Sequence, residues 1–185
     1  MKVAVVSWLF PSRHFPANGI FVKEELDRLA SSVDIRLIAP LHNQFAFGEP
    51  SSFTAEAGYP VVRPYTPLFP TWFMQRLSPL CMSMALNRTR AFTRSCDLVH
   101  VHNAFPDAVA AVRSYGRDFP LIVTVHGSDV NLFIERPDVG EMILNSLNKT
   151  RLIICVSRSL ETTLRNHGVT TPTEVIPNGF DSALF

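Results

Sequence analysis

The sequence predicts an α/β protein with a doubly wound, mostly parallel, Rossmann-like sheet of about seven strands. Short β-branched apolar runs recur along the chain, as expected for strands that are buried on both faces of a sheet. Amphipathic stretches of helical length separate these runs. Because parallel strands are joined by right-handed crossovers through helices, the alternation predicts one open sheet with helices on both faces. A chain of 185 residues is long enough to bury one core.

Composition narrows the classes of function. Only 18% of the residues are charged, against about 25% in an average soluble domain, so a partner domain or a membrane is expected to cover some apolar surface. The formal net charge of +1 and the dispersed Lys and Arg residues argue against nucleic-acid binding. Three cysteines without a ligand-spaced motif indicate reduced thiols in the cytoplasm.

The amino terminus is predicted to be a strand rather than a targeting segment. Its apolar run is interrupted by Ser7, and no small-residue cleavage site follows. No run reaches the roughly 18 apolar residues of a membrane-spanning helix. We therefore expect a cytoplasmic protein, at most peripheral at the inner face of a membrane. The sequons at Asn87 and Asn148 are then chance matches.

The predicted elements alternate along the chain. Strands are expected at 3–7, 34–39, 61–65, 98–101, 121–125, 152–156 and 174–176. Helices are expected at 19–30, 106–115, 137–149 and 157–167. Gly116 is expected to cap the second of these helices. Ser157 is expected to cap the last one, with Glu161 completing a capping box.

A strand, a glycine turn and a helix follow one another at the start of the chain. The free backbone N–H groups and the positive dipole end of a helix favour an anion. The helix start at Gly19 is therefore a candidate for contact with a phosphate group. A single glycine is not the fingerprint of a dinucleotide-binding loop, so the alternative is a glycine that merely permits the turn.

Polar residues follow the central strand at 121–125, where the apolar run stops abruptly. In an open α/β sheet, ligands bind in the crevice beyond the carboxyl ends of the strands. His126, Gly127 and Asp129 bring an imidazole, a flexible residue and a carboxylate to that place. The alternative for His126 is a loop histidine whose ring bonds to the backbone.

Residues 67–95 form an unusual segment rich in Leu, Phe, Trp and Met, and its only charges are four arginines. A basic, aromatic-rich amphipathic segment can lie in a lipid interface. The alternative is a buried helix in which Met fills gaps between larger side chains. The composition leaves both interpretations open.

Four motifs carry a resemblance to a known family. They are DLVHVH at 97–102, VTVHG at 123–127, IICVS at 153–157 and IPNGFD at 176–181. Their order and spacing resemble the amino-terminal domain of retaining GT-B glycosyltransferases, group 1 or family 4 type. The resemblance covers nearly the whole chain and implies one half of a GT-B fold.

The resemblance also implies roles for individual residues. His126 would be the catalytic residue beside the transferred sugar, and Asn18 with Gly19 would lie near the diphosphate of the donor. The acceptor and sugar would be bound by His102, Asn103, Gly127 and Asp129, and the turn at Asn178 and Gly179 would lead to a second domain. No metal or other cofactor is expected, since a nucleotide sugar is the donor substrate. For His102, a buried structural histidine is the alternative.

The family pattern implies a carboxy-terminal donor domain that these 185 residues lack. Residues 1–177 are then the acceptor-side domain and 178–185 the start of a linker. The expected function is transfer of a sugar from a nucleotide sugar to a polysaccharide, glycolipid or small-molecule acceptor with retention, with no activity from this half alone. The alternatives are a standalone, non-catalytic binding module and a GT-B-like sugar epimerase.

Overall fold

The computed structural model describes residues 1–13, 15–42, 54–56, 58–66 and 72–179. Eight strands in this part of the chain form one sheet, in the order β10-β9-β8-β7-β1-β2-β5-β4. The strands are β1 (Lys2–Val6), β2 (Asp34–Ile38), β3 (Leu41–His42), β4 (Thr54–Glu56), β5 (Tyr59–Val62), β6 (Tyr65–Thr66), β7 (Leu98–His102), β8 (Leu121–Val125), β9 (Leu152–Cys155) and β10 (Thr173–Val175). All seven predicted strands are present, which confirms the fold class.

The sheet is parallel except at one edge. Strands β10, β9, β8, β7, β1, β2 and β5 pair in parallel, while β4 pairs with β5 in the antiparallel sense. A separate parallel ladder joins β3 to β6. The antiparallel edge and the short ladder were not predicted, because strands of two or three residues are too short to show a periodic pattern.

Seven α-helices are described. They are α1 (Ile20–Leu29), α2 (Ser78–Arg88), α3 (Arg90–Thr93), α4 (Val109–Tyr115), α5 (Ser128–Asn131), α6 (Gly140–Leu147) and α7 (Arg158–Asn166). A 3₁₀ helix over Trp72–Leu77 precedes α2, and a wide turn over Ala104–Ala108 precedes α4. In the described part of the chain, no helix combines the length and the apolar character needed to cross a bilayer.

One predicted helix start and two predicted capping residues need correction, whereas the cap at Ser157 is confirmed. The second predicted helix begins at Val109 rather than Pro106, because Phe105 has extended backbone angles and interrupts the helix. Gly116 ends that helix with a right-handed backbone, so it is not a left-handed cap. Ser157 caps α7 by accepting a hydrogen bond from the Leu160 N–H at 3.2 Å. Glu161 lies one residue past the capping-box position and instead accepts a hydrogen bond from the Thr173 hydroxyl at 2.5 Å.

The core consists of two clusters on opposite faces of the sheet. The larger cluster packs alternate residues of β7, β8 and β9, such as Val101, Val123 and Ile153, against α2, α4, α6 and α7. The smaller cluster packs Val3 and Val5 of β1 against α1. Because side chains alternate along a strand, the remaining residues of β7 and β8 lie on the α1 face. That face carries the histidines described below.

The segment at 67–95 contributes to the core and also to the surface. Met82, Leu86 and Phe92 belong to the larger core cluster. Leu80 and Met84 are 38% and 51% exposed. Part of the segment is therefore packed in the core, and contact with a lipid interface stays a prediction. Residues 67–71 lie outside the described part of the chain, as do residues 180–185 of the predicted linker.

Candidate functional site

Three loops meet at the carboxyl edge of the sheet, after β1, β7 and β8, and two buried carboxylates join them. Asp129 accepts hydrogen bonds from the backbone N–H groups of His126 at 3.0 Å and Gly127 at 2.8 Å. Its second oxygen accepts from the Ala104 N–H at 2.7 Å. Because Ala104 follows β7, one side chain holds the β7 and β8 loops in fixed relative positions.

Asp107 makes the second connection. Its carboxylate accepts a hydrogen bond at 2.8 Å from the backbone N–H of Trp8, which follows β1. The side chain is fully buried, and burial raises the pKa of Asp107 well above its usual value. Asp107 was not among the predicted site residues. The available signal was an acidic residue inside the apolar run at 104–112.

His126 and His102 form a stacked pair. Nδ1 of His102 lies 3.1 Å from Nε2 of His126, and the ring planes differ by 15°. Phe21 of α1 packs on the other side of His126, with ring centroids 4.7 Å apart. Burial lowers the pKa of both histidines. Both rings are therefore neutral at pH 7, and one donates to the other.

The second nitrogen of each ring has no hydrogen-bond partner. His126 Nδ1 and His102 Nε2 are buried and unpaired within the described residues. His126 is half-buried, whereas His102 has no exposed surface. Since buried polar atoms are almost always paired, two unpaired ring nitrogens in one place are typical of a functional site.

Asn103 follows β7 in a strained conformation. Its φ is +79°, which is uncommon for a residue other than glycine. Its N–H donates to the Thr124 carbonyl at 2.9 Å, and its carbonyl accepts from the Ala108 N–H at 3.2 Å. The side-chain amide nitrogen is buried and has no partner in the described part of the chain. The backbone is thus held in place around an amide whose hydrogen-bonding capacity is unused.

Gly19 stands directly before α1 with φ of +66°. A Cβ atom at this position would lie 2.1 Å from the Leu9 carbonyl oxygen, so the backbone of the β1 loop requires glycine. Asn18 precedes it and is half-buried. The first turn of α1 contains no acidic residue, which leaves the positive end of the helix without a neutralising side chain.

His100 was missed by the sequence analysis. Its Nε2 lies 2.7 Å from the Thr124 hydroxyl, and its ring lies 4.5 Å from that of His102. Burial lowers the pKa of His100 to about 4, and neighbouring His126 acts in the same direction. The His-x-His pattern at 100–102 was the available signal, because residues two apart on a strand share one face.

Asn178 and Gly179 are exposed and follow β10. They line one side of a cavity of about 480 Å³, whose other walls include Glu25, His100 and Thr124. The structure thus brings the predicted residues His102, Asn103, His126, Gly127 and Asp129 together at one edge. Their roles in binding and catalysis remain predictions.

Residues 4–184 match the family model of Glycosyltransferase Family 4. The chain belongs to this family. A relative with 26% identity over 147 residues is TuaC of Bacillus subtilis (strain 168), which its name assigns to teichuronic acid biosynthesis as a glycosyltransferase. The match covers 72% of this chain and 38% of that relative.

Solved structures show the same fold. Sucrose-phosphate synthase from Thermosynechococcus elongatus superposes with a TM-score of 0.68 at 14% identity, covering 98% of this chain and 91% of that one. Anabaena Alr3699/HepE, in complex with UDP and glucose, superposes with a TM-score of 0.62 at 19% identity. That match covers 100% of this chain and 46% of the HepE chain. The predicted identity as an amino-terminal GT-B glycosyltransferase domain is confirmed. The chain spans less than half the length of TuaC and HepE.

Proposed function

We propose that this chain is the acceptor-side half of a glycosyltransferase that moves a sugar from a nucleotide sugar to a saccharide or lipid-linked acceptor with retention. The observation that carries the proposal is the fixed edge where Asp107 and Asp129 hold three loops around His126. Family membership and the UDP and glucose bound by the HepE structure support it. The name of TuaC supports a polysaccharide acceptor.

The residues at this edge suit the charges of the reaction. Sugar transfer from a nucleotide sugar develops positive charge on the ring and negative charge on the leaving diphosphate. In the proposal, the start of α1 at Gly19 faces the diphosphate with backbone N–H groups. Neutral His126 meets the sugar as a hydrogen-bonding group, because a cation there would oppose the developing charge. The transfer step itself needs no metal in this scheme.

Asp129 is assigned a positioning role. Three backbone N–H groups already occupy its two oxygens. A carboxylate held in this way fixes the loop that carries His126 and Gly127, and it is poorly available as a nucleophile. His102 acts through His126, since its Nδ1 bonds to that ring. Asn103 supplies a free amide for an acceptor hydroxyl.

The donor is proposed to bind between this domain and a second domain that follows the turn at Asn178 and Gly179. Under this proposal, residues 1–177 are one domain and 178–185 begin the linker. The alternatives are a standalone binding module and a sugar epimerase of similar fold. The coding sequence after Phe185 separates the module from the enzymes, because a downstream Glu-x7-Glu region supports transfer and a stop codon supports the module.

A membrane contact through residues 67–95 is also proposed. Leu77, Leu80 and Met84 are exposed at helical spacing and form an apolar stripe along α2. The arginines of this segment are exposed too, at positions 76, 88, 90 and 94. A cavity of about 1100 Å³ beside α2 adds Arg113, Arg117 and Lys149. Apolar side chains flanked by cations suit an anionic lipid surface.

The catalytic proposal is tested by His126→Ala in the protein that includes the second domain. Turnover is expected to fall on the order of 100-fold or more, because positioning and charge stabilisation at the sugar are lost. His167→Gln is the matched control, since this histidine lies at the end of α7 and bonds to the Thr163 carbonyl. Unchanged turnover in His126→Ala would remove this residue from the site.

A further inference from the structure

A cluster of three side chains lies between α1 and the sheet. One ligand atom from each of Glu25, His100 and His102 lies within 4.8 Å of the other two. The two histidines are two residues apart on β7 and share the α1 face of the sheet. Glu25 reaches them from α1. Helix α1 and strand β7 thus bring two imidazole rings and one carboxyl group close together between the helix and the sheet.

Two members of the cluster have unused ligand atoms, whereas His100 Nε2 already lies 2.7 Å from the Thr124 hydroxyl. His102 has no exposed surface, and its Nε2 is buried without a hydrogen-bond partner among the described residues. Glu25 is half-buried and forms no hydrogen bond or ion pair within the same part of the chain. A buried, unpaired imidazole nitrogen beside a carboxyl group suits an electropositive ligand. A metal ion would satisfy both groups at once.

We propose that Glu25, His100 and His102 bind one divalent transition-metal ion of the zinc class. Two histidines and one glutamate form a ligand set that zinc uses when one position stays open to water. Imidazole ligands also suit copper and nickel, whereas magnesium and calcium prefer oxygen ligands. This site departs from the sequence-based expectation that the chain holds no metal.

The geometry requires only a small contraction. Tetrahedral zinc with bonds of about 2.0–2.2 Å has ligand atoms roughly 3.4 Å apart, so atoms now within 4.8 Å must move closer by side-chain rotation. Glu25 and His100 line the cavity of about 480 Å³, which gives the ion a route of entry.

The ion would also act on His126. A metal on His102 Nε2 leaves the proton on Nδ1, which then donates to His126 Nε2 at 3.1 Å. That bond fixes one tautomer of His126, with its own proton on Nδ1. The metal site itself does not rest on the proposed glycosyl transfer, so either can fail without the other.

The test is calorimetric titration of the metal-free, reduced 185-residue chain with Zn²⁺, with Co²⁺ absorption spectra as a second measurement. We expect one ion per chain with a dissociation constant of about 1 µM or tighter, and visible d–d bands with Co²⁺. Glu25→Gln and His100→Asn are expected to weaken binding by at least about 100-fold, since even outer partners of a metal site are worth about 10–100-fold. Both positions are half-exposed, and circular dichroism checks that the variants fold.

Two controls address other ligands. His167→Asn removes a histidine outside the cluster, and Cys81→Ser removes a half-buried thiol. Both variants are expected to bind Zn²⁺ like the unaltered chain. The proposal is overturned by binding weaker than about 1 mM, by equal binding in Glu25→Gln and His100→Asn, or by loss of binding in either control.

Discussion

Asp129 connects two loops of the candidate site through its side chain. It is 4% exposed and pairs with three backbone N–H groups, two in its own loop and one after the neighbouring strand. Hydrogen bonds to a charged acceptor are the stronger ones in proteins. The loop that carries His126 therefore depends on this carboxylate for its position.

Replacing Asp129 by Ala is expected to lower the free energy of unfolding by at least about 3 kcal/mol, because three buried donors lose their acceptor. Urea denaturation followed by circular dichroism measures the change. Asp118→Ala is the matched control, since Asp118 is half-exposed and pairs with Arg90 on the surface. The control substitution should lower the free energy of unfolding by less than about 1 kcal/mol. Equal losses of unfolding free energy in the two variants would contradict the proposed role of Asp129 in holding the two loops.

At the scale of residues, the sequence predicted positions better than roles. His126 and Asp129 could be placed at the carboxyl edge because an apolar strand stops directly before them. The direction of the Asp129 carboxylate, toward backbone rather than solvent, follows from tertiary contacts with Ala104. Glu25 stands in a run of charged residues in the sequence, and only the packing of α1 against the sheet brings it to His100 and His102.

At the scale of elements, the buried strands were predictable and the edges were not. The parallel strands are apolar throughout because helices cover both faces, and this composition is visible in a single sequence. The turn over Ala104–Ala108 delays α4 for a reason that the sequence does not show. There, the Ala104 N–H is occupied by Asp129 and the Ala108 N–H by the Asn103 carbonyl.

The segment at 67–95 is expected to bind anionic lipid surfaces. The 185-residue chain is expected to co-sediment with liposomes that contain acidic lipid and to dissociate as salt is raised, because exposed arginines supply the attraction. Neutral liposomes are expected to bind little. Leu80→Asp combined with Met84→Asp should abolish binding, since both side chains lie on the exposed stripe of α2.

Leu132→Asp is the control for this experiment. Leu132 is 65% exposed but lies after α5, outside the segment. It should leave liposome binding unchanged. Equal binding to neutral and acidic liposomes, or none to either, would return the segment to a packing role.

At the scale of the whole molecule, the described residues form a complete sheet with a core on each face. The candidate residues His102, Asn103, His126, Gly127 and Asp129 lie together at the carboxyl edge of that sheet. The fold class and the family could be predicted because ordered motifs cover most of the chain. The roles of the individual site residues stay predictions, because they depend on ligands that a sequence does not show.

Binding of the donor by this chain alone is expected to be weak. The predicted anion site is the start of α1 at Gly19, and a helix start contributes about 0.3–2 kcal/mol to binding a fixed charge. Micromolar affinity requires roughly 8 kcal/mol. We therefore expect the 185-residue chain to bind UDP- and GDP-sugars no tighter than about 1 mM and to transfer no sugar. Calorimetric titration measures the affinity, with the protein that includes the second domain as the comparison. Tight binding by the short chain would mean that these residues already contain the donor site. The loops around His126 would then be expected to bind the phosphates.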